Sequence, residues 1–504
     1  MSLTAAPLAP PLRSPVAHPL AWLLALALAH VLVRVAVSPA LKWDEAEQML
    51  WSQQLALGYG AQPPLYTWLQ WGVNALVGPS VLALSLLKHA LLALTYALMW
   101  LAARELLDER GAWWASASML LLPALGWYSV RDHTHTILVT AMACGAWWLL
   151  LRIVRQPRPL DFAALGLVCG LGMLAKYSFA LVAGAMLLAA LSVPRARRAL
   201  LSRGWWWAPL VGLLVVGPHL VWLLSHLHEA TASTLGKMEI QAASGPLKGV
   251  RHLLQGVAGT LVLFALFALW AFRGACWRGP VQPAAPWAQQ LFRRYLALVL
   301  AALLAMVLLA GVTEFKGRWL LPLLCVVPLA AFAARPGLQR HPRGGRYTGA
   351  IVAMALLLLL AAGVRPWFSG LRGEADELNH PAAELGAALS AAGYDGRGRI
   401  VAADHMMAGM LRTRFPHALV DACTSDEEDV TDCVASHVQH AQAAGQGWLL
   451  ISRTDRGEAG WWDKATASLP AQPPRVIELP FHMVRAGMPP ARYEYRWQPP
   501  QAPR

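Results

Sequence analysis

Residues 42 to 68, KWDEAEQMLWSQQLALGYGAQPPLYTW, form a polar and aromatic stretch wedged between two strongly hydrophobic segments. Pro19 to Ser38 precedes it and Val81 to Ala103 follows, each about the roughly 20 residues a helix needs to cross a bilayer. The stretch therefore sits at a membrane surface. Asp44 and Glu45 are adjacent carboxylates at the exit of the first span, where a charge needs water or a partner. One reading makes Asp44 only a helix N-cap, with Glu47 completing a capping box. The remainder of the stretch argues for an active-site loop. Between Asp44 and Leu57, Ala46, Met49, Leu50 and Leu57 share one helical stripe, with Glu47, Gln48 and Gln54 elsewhere around the axis. Such a helix lies along the interface. Gly58-Tyr59-Gly60 ends it, and Pro63-Pro64 opens a second short helix, since first-turn amides lack intrahelical partners anyway.

Composition supports the membrane reading. The 504-residue chain is 57% hydrophobic and only 14% charged, where soluble domains carry nearer a quarter charged residues. Its net charge of +14 does not point to nucleic acid, because the arginines lie in short clusters between apolar runs, as in cytoplasmic loops. The 24 tryptophans suit the headgroup level, where an indole has one wet and one apolar edge. Residues 1 to 18 are expected to be a cytoplasmic tail and the first apolar run a retained anchor. Cys144, Cys169, Cys276 and Cys325 are expected to be unpaired.

Further apolar runs lie at about 81 to 103, 112 to 130, 137 to 153, 162 to 176, 178 to 193, 205 to 225, 252 to 272, 295 to 312, 319 to 334 and 348 to 364, giving eleven candidate spans with the first. Counted alternately from a cytoplasmic N-terminus, the inside loops hold Arg152, Arg155 and Arg158; Arg195, Arg197, Arg198 and Arg203; Arg273, Arg278, Arg293 and Arg294; and Arg335, Arg340, Arg343 and Arg346. The outside loops hold few cations, which is the asymmetry the positive-inside rule demands. The expected fold is an all-α polytopic membrane domain over residues 19 to 364, with a catalytic loop at 39 to 80. Residues 365 to 504 change composition, and Arg399 to Ala403, Gly447 to Ser452 and Arg475 to Leu479 read as strands of a small soluble α/β domain. Parity puts that domain outside the cytoplasm, where Cys423 and Cys433 are expected to pair; the alternative is two free thiols.

The same parity collects at one membrane face the first loop, then Arg131-Asp132-His133-Thr134-His135, then Lys176-Tyr177, then Thr313-Glu314-Phe315-Lys316-Gly317-Arg318-Trp319. Carboxylates and cations that interrupt apolar sequence on one face read as a shared site. Snorkelling at span ends is the alternative for each lysine. Interface anchoring is the alternative to stacking on a bound ligand for Trp43, Tyr59, Tyr66 and Trp68.

The first loop resembles that of integral-membrane glycosyltransferases using polyprenyl-phosphate sugars, the protein mannosyltransferase and aminoarabinose transferase superfamily. The resemblance rests on Asp44-Glu45, the helix from Gln48 to Leu57 and Gln62-Pro63-Pro64-Leu65-Tyr66. The wording GYGAQPPLYTWLQ is closest to the bacterial lipid A galacturonosyltransferase branch. It covers the first two hundred residues, reappears near Lys316, and is faint in the last 140. It implies a GT-C architecture of about 11 transmembrane helices with interfacial helices in the first loop. It also implies transfer from an undecaprenyl-phosphate-type sugar to lipid A, core oligosaccharide, another lipid or a protein, in the bacterial inner membrane with the site and C-terminal domain facing the periplasm.

The resemblance assigns Asp44 as base and Asp132 as the second acidic position, with Glu45 beside them. The leaving group is already a phosphate and needs positive charge rather than a proton, which Lys176, Lys316 and Arg318 could supply. His133, Gln62, Pro63 and Tyr66 complete the expected substrate contacts. Some relatives carry a lysine where Gln62 stands, so a neutral contact with sugar hydroxyls is expected there. One base without a covalent nucleophile implies inversion; a phosphate acceptor would leave Asp44 mainly electrostatic. His133, His135 and Asp132 invite a divalent cation, but alternating residues at a helix boundary should not project to one side, and no cofactor is expected. The competing function is a transporter or flippase for a lipid-linked sugar, which would place polar residues near the midplane, often in repeated halves; a membrane scaffold is a third, leaving the clustered charges without purpose.

Overall fold

A computed structural model describes residues 19–228, 230, 245–273, 285–424, 429–454 and 460–500; the expected tail 1–18, Cys276 and Arg278 lie outside the described residues. Among the described residues seven helices are long and apolar enough to cross a membrane, or eight if the bent pair Phe179–Ser192 and Pro194–Leu200 counts as one. Eleven is not reached by that measure. Ala21–Val37 and Pro159–Ala175 are shorter apolar helices. The run expected at 112 to 130 is broken: Glu109–Ala117 gives way to a tight turn at Ser118–Leu121, then to a wide turn at Ala124–Tyr128 just after Pro123. Proline removes a donor and crowds the preceding turn, so the break falls there.

The expected boundary at 364/365 falls inside a helix, Gly344–Leu371, which continues through Pro366. The carbonyl of Pro366 accepts from Asn379 Nδ2 at 3.1 Å, joining this helix to the segment that follows. Beyond it stands a five-stranded sheet in the order β2-β1-β3-β5-β4. The strands are β1 (Arg399–Ala402), β2 (Leu419–Ala422), β3 (Trp448–Arg453), β4 (Arg475–Leu479) and β5 (Ala491–Gln498). β1 lies parallel to β2 and β3, with Ile400 opposite Val420 and Leu449, whereas β5 runs antiparallel to β3 and β4. Three strands were legible; β2 and β5 were not. Cys423 and Cys433 are joined by a disulfide, their Cα atoms 5.9 Å apart.

The first-loop helix is shorter than expected, Trp43–Trp51, and does not reach Leu57. Residues 52–57 are held instead by local contacts: the Tyr59 hydroxyl accepts from Ala56 N (3.0 Å) and donates to Gln54 O (2.7 Å), and Trp68 Nε1 donates to Ala56 O (2.7 Å). A second helix opens at Leu65 after Pro64 and runs to Val77. The loop and the C-terminal domain share one apolar core, in which Ala40, Leu41, Ala46 and Met49 pack with Leu385, Met406, Met410 and Ile451. Gly409, on the helix His405–Arg414, lies so close to the first-loop helix that an added Cβ would come within 2.4 Å of Ala46 Cα. Gln53 seals the join by bonding both backbone groups of Val420 on the edge strand β2, at 2.7 and 3.0 Å.

Candidate active site

Four segments meet at one end of the helical bundle, and the first loop sets their frame. Its helix begins after Lys42, whose backbone N–H donates to Glu45 Oε2 at 3.0 Å, so the capping carboxylate is Glu45 and not Glu47. Glu45 is 1% exposed and also pairs with Arg34 at 2.6 Å and Lys88 at 3.0 Å. Burial alone would push its carboxyl up, but Arg34 and Lys88 outweigh this and hold it well below the usual range. Lys88 also donates to the Arg131 carbonyl at 3.2 Å, so one buried ammonium ties the first loop to the next segment. The Lys42 ammonium bonds Asp376 and, at 2.6 Å, Glu377, and Asp376 is further held by Arg365 at 2.8 Å.

Next to Glu45, Asp44 turns the other way. The Thr134 N–H donates to Asp44 Oδ2 at 3.3 Å, at the start of the helix Thr134–Arg155. Asp132 and His133 precede that helix. Lys176 and Tyr177 follow the helix Pro159–Ala175, and Lys176 Nζ donates to Thr136 Oγ1 at 3.2 Å. Arg318 stands in the first turn of the helix Gly317–Leu324.

These segments enclose two cavities with a common wall. One, of about 470 Å³, is bounded by Asp44, Glu47, Gln62, Pro63, His133, His135, Lys176 and Arg318 and floored by Leu181, Leu303, Met306 and Leu323. The other, of about 480 Å³, is bounded by Arg131, Asp132, Arg365, Glu374, Asp376 and Glu377. Trp43, Asp44, His133 and Arg318 line both. A carboxylate, an imidazole and a guanidinium thus separate an apolar-floored chamber from a highly charged one.

Burial is the main force pushing the His133 imidazole down to about 4; Asp44 opposes it, while Arg318 and Lys176 reinforce it. His133 is therefore neutral at pH 7, and its buried Nδ1 has no protein partner. Burial likewise raises the Asp132 carboxyl above its ordinary value, against the pull of Lys42, Lys88 and Arg131.

The sequence-derived set divides accordingly. Asp44, Gln62, Pro63, Lys176, His133 and Arg318 line the first chamber, and Asp132 lines the second. Glu45 lines neither and belongs to the buried ion network. Tyr66 is fully buried with its ring 5.4 Å from that of His135, and it lines neither cavity. Lys316 is exposed and lies over the Trp319 ring at 5.8 Å; it precedes the helix that carries Arg318, so the two cations do not converge. Of the four aromatics, Trp43 lines both chambers, while Tyr59 and Trp68 are engaged in holding the loop.

Two further expectations need correction. His133 and His135 do face one chamber, because His133 lies outside the helix at its N-cap. Gln48, expected off the buried stripe, is fully buried: its side chain accepts from Thr67 Oγ1 (3.0 Å) and contacts His135 Nε2 (3.2 Å). Sequence reasoning passed over Lys88, although a lysine inside an apolar run was its own signal; Glu47 and Glu314, named there without a role in the site, line the first chamber. Among the described residues the one His/Cys/carboxylate group close enough to hold a metal is Cys423, Cys433 and His437, whose sulfurs are joined to each other.

Residues 61–222 match the dolichyl-phosphate-mannose-protein mannosyltransferase family. The chain is 32% identical over 386 residues to the lipopolysaccharide core galacturonosyltransferase RgtA of Rhizobium johnstonii, covering 75% of this chain and 76% of that protein. It is 35% identical over 298 residues to RgtB of the same organism, which is 58% of this chain and 60% of RgtB. Among solved structures, ArnT from Cupriavidus metallidurans bound to undecaprenyl phosphate superimposes with a TM-score of 0.60 over 94% of this chain and 97% of that one. At 13% identity that likeness is one of fold.

Proposed function

Since the chain belongs to the family of GT-C membrane glycosyltransferases that includes the lipopolysaccharide core galacturonosyltransferases, we propose that it moves a sugar, a uronic acid such as galacturonate, from a polyprenyl phosphate to lipid A or the lipopolysaccharide core at the periplasmic face of the inner membrane. The observation that carries this reading is the wall of Asp44, His133 and Arg318 shared by two chambers of different character. In this reading the apolar-floored chamber takes the lipid-linked donor, with its phosphate toward Lys176 and Arg318. The charged chamber takes the acceptor. An acceptor hydroxyl attacks the anomeric carbon, its proton passes to Asp44, and the sugar–phosphate bond breaks with inversion. The departing phosphate keeps the bonding pair, and the two cations stabilise that charge. Neutral His133 lines both chambers and is placed to give a hydrogen bond to sugar or phosphate. Lys176 and Arg318 supply the positive charge a divalent ion would otherwise bring, so the step is assigned no metal.

The test is mass spectrometry of lipid A and core oligosaccharide from host cells with the gene intact, deleted, or complemented by Asp44→Asn. One uronate unit lost on deletion, restored by the wild-type gene and not by the variant, supports the reading. Unchanged glycolipids in all three strains overturn it.

A further inference from the structure

The opposite end of the bundle carries a second feature that the transfer reaction does not use. The helix Phe179–Ser192 starts beside Lys176 and Tyr177, crosses away from the candidate site, and meets Pro194–Leu200 at 111°. The short segment therefore lies across the end of the bundle. Ala196 and Ala199 are buried beneath it, while Arg195, Arg197 and Arg198 are exposed, as are Arg203 and the tryptophans 205 to 207 that follow. Arg294 donates to the Ser192 carbonyl and fixes the corner.

Two other arginines at this end have carboxylate partners: Arg152 pairs with Asp161 at 2.9 Å and Arg155 with Glu105 at 2.7 Å. Among the described residues Arg195, Arg197, Arg198 and Arg203 form no salt bridge. Beside them lies a crevice of about 790 Å³ lined by Leu200, Leu201 and Trp205, next in the chain to these arginines, together with Cys169, Met186 and Leu213. It shares no lining residue with either chamber of the candidate site. Its walls are set by the close approach of Pro159–Ala175 to Trp207–Ser225, where a Cβ on Gly166 would come within 2.2 Å of the Ala208 carbonyl oxygen. An apolar slot whose lining residues Leu200, Leu201 and Trp205 alternate in the chain with guanidinium groups that have no carboxylate partner among the described residues matches the two halves of one ligand.

We propose that this elbow binds one anionic phospholipid, with an acyl chain in the crevice and the phosphate held by the arginines of residues 195 to 203. Guanidinium groups present paired donors to phosphate oxygens, and a cluster of them favours a headgroup with net negative charge over a zwitterionic one. The site is independent of the sugar-transfer reading.

Native mass spectrometry of the full-length protein tests it, with dioleoyl phosphatidylglycerol and dioleoyl phosphatidylcholine as probes of identical acyl chains. The expected result is a single retained phosphatidylglycerol, favoured at least fivefold over phosphatidylcholine. The triple variant Arg197→Gln, Arg198→Gln, Arg203→Gln should lose that preference without a change in melting temperature, because all three side chains are exposed. A photoreactive acyl chain on the same headgroup should label peptides within 165 to 173 and 186 to 191. Equal binding of both lipids, an unchanged preference in the variant, or labelling abolished by a polyprenyl phosphate overturns the proposal; the last outcome would make the crevice a donor-tail channel.

Discussion

Asp44 and Glu45 are neighbours in sequence with opposite fates. Successive side chains on a helix point about 100° apart, so one faces the wall between the chambers and the other is buried against Arg34 and Lys88. The sequence marked the pair as important without separating them, because the separation depends on Arg34 and Lys88 coming from two other helices. Asp44→Asn is expected to reduce turnover by about 10²–10⁴-fold, read in a transfer assay, with little change in the melting temperature. Glu45→Gln is expected to act on the fold. It leaves Lys88 buried without its charge partner, at a cost of about 3–5 kcal/mol, read as a lower melting temperature in detergent. The Glu45 contribution has a defined sign with pH. Its folded pKa is depressed, so the stability is fully present above the ordinary glutamate value of about 4.3 and is lost as pH falls below that toward the folded value. Burial holds the His133 imidazole down to about 4, so the neutral form prevails from pH 5 to 8. His133→Gln should lower kcat while leaving the shape of the pH–rate profile across that window unchanged; a profile that changes shape would assign the imidazole a proton-transfer role. Gln62 and Lys176 were legible because each interrupts an apolar or proline-rich context. Lys316 precedes the helix and is exposed while Arg318 stands in its first turn, a difference that their spacing in sequence does not show.

At the scale of elements, the first-loop helix was legible from its apolar stripe, but its end was not. The stripe continues to Leu57 in sequence, whereas the chain leaves the helix after Trp51 because Tyr59 and Trp68 collect the carbonyls of Gln54 and Ala56. Local hydrogen bonds of this kind override periodicity over six residues. β5 was missed although Tyr493 and Tyr495 are buried in alternation with charged neighbours, a period-2 signal. The contact between the first-loop helix and His405–Arg414 had no signal beyond Gly409 itself. Gly409→Val would push a side chain into the Ala46 backbone, and overpacking of this kind costs about 1–3 kcal/mol. The expected outcome is a loss of transfer activity larger than the loss of stability explains, because the displaced element carries Asp44. Comparing kcat with melting temperature for Gly409→Ala and Gly409→Val measures this; parallel losses in both would reduce Gly409 to a packing residue.

Taken whole, the chain has a membrane part whose apolar runs were readable one by one and a C-terminal domain whose docking was not. Hydrophobic length reports each span locally, while the clamp of Lys42 on Asp376 and Glu377 joins residues more than 330 positions apart and leaves no periodic trace. The disulfide offers a check on the proposed orientation. In intact cells Cys423 and Cys433 should resist alkylation until a reductant is added, and replacing both with serine should destabilise the domain by about 2–4 kcal/mol. Alkylation of both without reductant would place the domain in a reducing compartment. The clamp also has a consequence in time. Ser38 Oγ donates to the Leu378 carbonyl across 340 positions at 2.6 Å, so the loop bearing Asp44 leaves the ribosome long before the surface that completes it. At about 5–20 residues per second of synthesis, that interval is roughly tens of seconds. A nascent chain therefore passes most of its synthesis with the loop uncovered, and a product truncated before Asp376 never acquires the second chamber, so translation itself acts as a timer that withholds this chamber until Glu377 has been added.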